Sequence, residues 1–139
     1  MIRDATAADW PEVDRMARAF QAAGGTWVDY SPDVFRATFH GIVVSDQGLA
    51  IMPEAGGGIL LAMVAPSPFG RQLAAQEIML WIDPDARSFG LWSHMMAAYE
   101  AWGRGKGAGP IGMTVLDERT GTLARRRGYQ PAEMVYRLV

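Results

Sequence analysis

The sequence predicts one α/β (α+β) domain, a central sheet of short strands flanked by about four helices. Three observations carry that expectation. Apolar residues recur at helical spacing near the N-terminus, at Val13, Met16, Ala17 and Phe20. Short apolar runs bounded by glycine and proline then follow from Leu49 to Ile82, the signature of strands. Beyond them, helical and extended stretches alternate to the C-terminus. Half of the 139 residues are apolar, which suits one core and is too little chain for two ordinary domains. No repeat or low-complexity linker divides it, so residues 1–139 read as a single unit.

Ile2 to Asp4 is a short strand at best. The first helix starts near Thr6, which can cap it, with Asp9 three residues on as an acid in the positively polarised first turn. Pro11 is tolerated there, and Gly24-Gly25 stops the helix. After a loop over Trp27 to Tyr30, Ser31 followed by Pro32 reads as a cap and a first helical residue, and Val34, Phe35, Thr38 and Phe39 share a face of the second helix. From Gly41 the pattern turns extended. Leu49 to Met52, the turn Gly56-Gly57-Gly58 and Ile59 to Val64 form a hairpin, and after a loop at Pro66 and Pro68, Gln76 to Ile82 supplies the next strand. A third helix runs from about Ser88 to Gly103, and Ile111 to Leu116 is a strand. Thr120 to Arg127 is a short helix ended by Gly128, and Met134 to Leu138 is the last strand.

Composition narrows the function classes. With no cysteine, neither a disulfide framework nor a thiolate metal site can form, and His40 and His94 lie far apart, so a metal centre is not expected. No apolar run approaches the ~18 residues that span a bilayer, so the expectation is a cytoplasmic protein with no membrane partner. The net charge of −2 is unevenly spread: residues 1–60 hold eight acids and four bases, residues 61–139 seven acids and nine bases. That is too narrow a basic surface for nucleic acid. Gly103-Arg-Gly105-Lys-Gly-Ala108 imitates a dinucleotide fingerprint, but it follows a helix and precedes a strand, the reverse of what that motif needs. Gly105-Lys106-Gly107 is no P-loop, since neither Ser nor Thr follows the lysine.

The chemistry concentrates between Glu77 and Gly107. A strand that turns directly into a helix gathers the first free N–H groups of that helix at one spot, where the helix dipole also favours an anion. Arg87 adds a forked, charged donor there and Gly90 lets a ligand approach the main chain, so the segment reads as a diphosphate seat. The bland alternative is a surface arginine and an ordinary glycine at a helix start. Strand alternation puts Glu77 on the face of Met79, Trp81 and Asp83, where apolar surroundings raise a carboxyl toward the range of a useful general base. A solvated acid at a strand end is the other reading. Arg125, Arg126 and Arg127, with Arg119 nearby, steer an acidic partner, reach a phosphate of a bound ligand, or form a solvated helix face.

At Arg87 and Gly90 the sequence resembles the GNAT family of acetyl-CoA-dependent N-acyltransferases, whose pyrophosphate loop reads Arg or Gln, two residues, Gly, one residue, Gly or Ala. Trp92 stands where the family has the small residue. The element order also matches the family's over essentially the whole chain. The resemblance implies a mixed sheet whose fourth and fifth strands splay apart. It further implies acetyl-CoA (coenzyme A) bound along the main chain of Leu80, Trp81 and Ile82 and over Arg87, Ser88, Phe89, Gly90, Leu91 and Trp92. Glu77 corresponds to the carboxylate that deprotonates the amine. In the C-terminal motif, Asp117 replaces an asparagine that contacts pantetheine, and Ala124 replaces the tyrosine that protonates the leaving thiolate, while Gly128-Tyr129 is retained. That leaves Tyr129 or Tyr136 as proton donors. Trp27, Tyr30 and Phe35, with Phe39, correspond to the acceptor side. The implied function is acetyl transfer to an amine of a small molecule or protein. The alternative is a catalytically weak GNAT-fold protein, similar to those carried by bacteriophages, that acts by binding host proteins. Pairing of two copies through the last strand is also in keeping with the resemblance.

Overall fold

The structure, a computed structural model, describes residues 1–138. Strands β1 (Ile2–Asp4), β2 (Gly48–Pro53), β3 (Gly58–Pro66), β4 (Leu73–Ile82) and β5 (Ile111–Gly112) form one sheet in chain order. The first three pairings are antiparallel and β4–β5 is parallel. Helices α1 (Trp10–Ala22) and α2 (Pro32–Val44) cover one face, and α3 (Phe89–Gly105) covers the other. The short helix α4 (Glu118–Arg126) follows β5.

Two apolar layers hold the sheet. Val13 and Met16 of α1 and Phe39 and Ile42 of α2 pack on Met52, Leu61 and Met79. Met95, Met96 and Tyr99 of α3 pack on Leu60, Ala62, Ala75 and Ile82. Burying each of the larger side chains contributes about 1.5–3 kcal/mol. Gly103 lets α3 sit close, since a Cβ there would meet Ala75 Cβ at 3.2 Å and Ile111 Cδ1 at 3.3 Å. At the N-terminus, Asp9 accepts from the Thr6 N–H at 2.8 Å and pairs with Arg3 at 2.8 Å, so β1 is tied to the helix start. The Arg3 guanidinium holds the Asp9 carboxyl down at about 2.

Several elements depart from the sequence expectation. The second helix does not end at Gly41 but continues to Val44, because burial of Phe39 and Ile42 outweighs the ~1 kcal/mol cost of a mid-helix glycine. Its buried stripe runs through Phe39 and Ile42, leaving Val34 and Thr38 outside. β4 begins at Leu73, three residues earlier than its pattern suggests. The strand expected over Ile111 to Leu116 is paired only at Ile111 and Gly112. Past that point the Thr114 N–H donates to the Glu77 Oε1 at 2.7 Å, so a side chain takes the place of the ladder. The strand expected over Met134 to Leu138 is not formed. A two-residue β5 gives it no long edge to pair with, and Met134 and Tyr136 are 76% and 86% exposed.

The face of Glu77 is also corrected. A bulge shifts the β3–β4 register, so that Leu61 opposes Met79 but Ala62 opposes Glu77, with Ile78 the extra residue. Met79 and Leu61 belong to the layer under α1 and α2, whereas Ala62 belongs to the layer under α3. Glu77 therefore faces away from Met79 and Trp81.

Candidate active site

β4 and β5 run together for two residue pairs, Ala75 with Ile111 and Gln76 with Gly112, and then part. A cleft of about 310 Å³ opens in the gap, bounded by the free edge of β4, the start of α3 and the start of α4. Glu77 lines it just past the last paired residue of β4, and is 6% exposed. Burial pushes its carboxyl above the usual range, and the Thr114 N–H opposes this by favouring the anion. The carboxylate that the sequence singles out is thus the one the fold buries where the strands divide.

At the other end, Ser88 adopts an extended backbone and caps α3, its Oγ accepting from the Leu91 N–H at 3.0 Å. The amides of Phe89 and Gly90 precede the first helical hydrogen bond, from Trp92 N–H to Ser88 O, and have no acceptor within the helix. A Cβ built on Gly90 would meet nothing nearer than Ser88 Oγ at 4.0 Å, so the space at the Gly90 Cα is open. Arg87 stands at this terminus in a fixed pose. Its Nε donates to the Ile82 carbonyl at 2.8 Å and its guanidinium lies 5.0 Å over the Trp81 ring. The Trp81 Nε1 donates to Asp83 at 2.8 Å, and Asp83 pairs with Arg15 of α1 at 2.6 Å. Arg87 is thereby held in place at the border of the cleft, which it lines. Trp92 does not stand free over the seat: it is 8% exposed and belongs to the apolar layer of α3.

The fold as a whole has counterparts among solved structures. A GCN5-related N-acetyltransferase from Ralstonia eutropha matches with a TM-score of 0.81 at 18% identity, over 100% of this chain and 97% of that one. An acetyltransferase from Trypanosoma brucei matches at 0.76 and 16% identity, over 100% and 98%. A ribosomal-protein-alanine N-acetyltransferase from Brucella melitensis biovar Abortus matches at 0.71 and 11% identity, over 100% and 98%. The fold is the GNAT fold. No family model and no curated relative matches the sequence.

Within the GNAT frame, the remaining candidates divide. Leu80 and Ile82 line the cleft together with Arg87, Ser88, Phe89 and Trp92. The Ile82 carbonyl is already taken by Arg87. Asp117 lines the cleft but caps α4, its two oxygens accepting from Thr120 N–H at 2.7 Å and Thr120 Oγ1 at 3.1 Å. Ala124 is buried. Tyr129 is not brought to the cleft. It lies in a separate groove, its hydroxyl donating to Glu100 at 3.0 Å, and burial followed by that carboxylate pushes its phenol up. Tyr136 lies exposed in the unpaired C-terminal stretch. Trp27 is 67% exposed, Tyr30 donates to Asp14 at 2.6 Å, and Phe35 packs on Trp10 and Tyr30, so none of the three lines the cleft.

Phe20, Thr114 and Arg119 line the cleft and were not singled out as site residues. Helical spacing assigns Phe20 to the core, and only its place in the last turn of α1 hints otherwise; a Cβ on Gly25 would run into its ring. Thr114 acts through its main chain, which leaves no mark in a sequence. Arg119 was visible as a base near the arginine run.

Proposed function

We propose that the chain binds acetyl-CoA and transfers its acetyl group to a primary amine, with Glu77 as general base. One observation carries this reading: a buried carboxylate at the splay and an open helix N-terminus with a fixed arginine share one cleft. The coenzyme fits the groups present. The amides of Phe89 and Gly90 and the charge of Arg87 suit a diphosphate, and Leu80 lends main chain beside it. When bound, the coenzyme supplies an acetyl group activated as a thioester.

The rest falls to this chain's own residues. Glu77 takes the proton of the attacking ammonium or amine, and the upward push of burial on its pKa makes it a stronger base. The Thr114 N–H fixes which carboxylate oxygen is turned away from the acceptor. The apolar lining at Leu80, Leu116 and Leu123 limits water at the reacting carbon. Ala124 offers no proton, so the leaving sulfur takes one through water or from Glu77. Thiols ordinarily titrate near 8.5, so a dedicated acid is worth little at pH 7.

The test is titration calorimetry with coenzyme A, followed by free-thiol release from acetyl-CoA with a panel of small amines and peptides. Binding together with amine-dependent thiol release supports the reading. Absence of heat and of a thermal shift at millimolar coenzyme removes it. Binding without turnover leaves the fold as a coenzyme-binding scaffold for a protein partner.

A further inference from the structure

We infer that Tyr99 is a positioning residue of this centre: its hydroxyl pins Gly112, the point from which β5 leaves β4, and so sets the amide that orients Glu77. The inference rests on the reading of Glu77 given above. Tyr99 is fully buried on the sheet-facing side of α3, among Met95, Met96 and Ala75. A phenylalanine would fill that space as well, and a buried hydroxyl is costly unless it finds a partner. Its partner is the carbonyl of Gly112, to which it donates. Gly112 is the last residue of β5 in register with β4, opposite Gln76. A Cβ on Gly112 would lie 2.6 Å from the Gln76 Oε1, so any side chain there would displace the Gln76 amide.

Two residues further on, the Thr114 N–H reaches the Glu77 Oε1 at 2.7 Å. With so short a tether, the position of Gly112 decides where the Thr114 amide lies. The anchor comes from α3, the same helix whose N-terminus forms the seat, so one rigid element spaces the seat from the base. Burial, followed by the charge of Glu77, pushes the Tyr99 phenol up, which keeps it a donor across neutral pH. The other charged groups bordering Glu77 across the cleft are Arg87 at the start of α3 and Asp117 and Arg119 at the start of α4.

The test is Tyr99→Phe, read in two independent ways. In the transfer assay, kcat should fall about tenfold with coenzyme affinity unchanged within about twofold, and the acid limb of the pH profile should move up as Glu77 loses a donor. An unchanged profile and kcat would make Tyr99 a core residue only and overturn the inference. By NMR, without any turnover, the Thr114 amide should exchange at least about tenfold faster in the variant and the Glu77 carboxyl should titrate higher. Unchanged exchange and titration would overturn it even if the wild type transfers nothing, which is instead the failure of the proposed function. If the variant does not fold, the wild type decides. A slowly exchanging Tyr99 hydroxyl proton supports the anchor, and a freely exchanging one refutes it.

Discussion

The β4–α3 wall of the cleft offers a ligand its main chain, whereas the β5–α4 wall offers mostly side chains that are already engaged. On the first wall, the amides of Phe89 and Gly90 have no acceptor within the helix, and Arg87 is held by the Ile82 carbonyl and by the Trp81 ring, which is itself tied through Asp83 to Arg15 of α1. On the second, Asp117 caps its own helix, Ala124 is buried and β5 is two residues long. The difference teaches where sequence drift is tolerated in such a site. A seat made of backbone donors survives substitution of its neighbours, provided the helix still starts at the same place. A wall that works through particular side chains loses its chemistry with each replacement. Only where the two walls meet, at Glu77 and Thr114, do a side chain of one and the main chain of the other act together.

The largest expected effect tests whether the first wall is built into the core. Trp92 is 8% exposed in the layer under α3, so Trp92→Ala should cost about 3–5 kcal/mol of stability by denaturant unfolding. Coenzyme affinity per folded molecule should not improve. Tighter binding with little loss of stability would mean that the indole covers the seat after all.

Next comes the meeting point. Glu77→Gln keeps an acceptor for the Thr114 N–H but removes the base, so turnover should fall by about 10²-fold or more with coenzyme affinity nearly unchanged. Wild-type transfer should rise with pH through the raised Glu77 value. The stability effect has the opposite sense. A carboxyl raised by burial binds its proton more tightly when folded, so its contribution is present below the ordinary carboxylate range and lost as pH rises through the raised value. Melting curves at pH 5 and pH 8 should therefore differ less for the glutamine variant than for the wild type. An equal difference would mean Glu77 ionises without cost.

These two residues also mark what the sequence could disclose. The proposed seat was legible as a strand, a turn and a helix start, because strand, turn, Arg87, Ser88 and Gly90 are contiguous and local order alone puts them together. Glu77 was legible as a residue but not in its orientation, since one extra residue at Ile78 reverses the face and nothing in the run from Gln76 to Ile82 announces a bulge. Thr114 and Phe20 reach the cleft through long-range folding. The last strand was misread because Met134 to Leu138 has strand propensity without a partner edge, and propensity yields to context in sheets.

A smaller effect separates the two kinds of wall by affinity. Arg87→Ala removes the prepositioned charge and should weaken coenzyme binding by about 1–3 kcal/mol in calorimetry. Arg119→Ala, on the α4 wall, should weaken it by less than about 1 kcal/mol, as for an exposed charge. Equal losses would erase the contrast between the walls.

The smallest effect concerns Asp117. Its two oxygens are held by Thr120 at the start of α4, so the carboxylate is turned to its own helix and not to a ligand. Asparagine caps about as well as aspartate, so Asp117→Asn should leave the melting temperature within about a degree and coenzyme affinity within about threefold. Asp117→Ala removes the cap, costs about 1 kcal/mol, and should lower melting by about 3–5 °C with affinity still unchanged. The pair of variants thus asks whether position 117 holds the helix or the coenzyme. A gain of tenfold or more in affinity for the asparagine variant would show that the α4 wall needs a single side-chain change to bind as the α3 wall does.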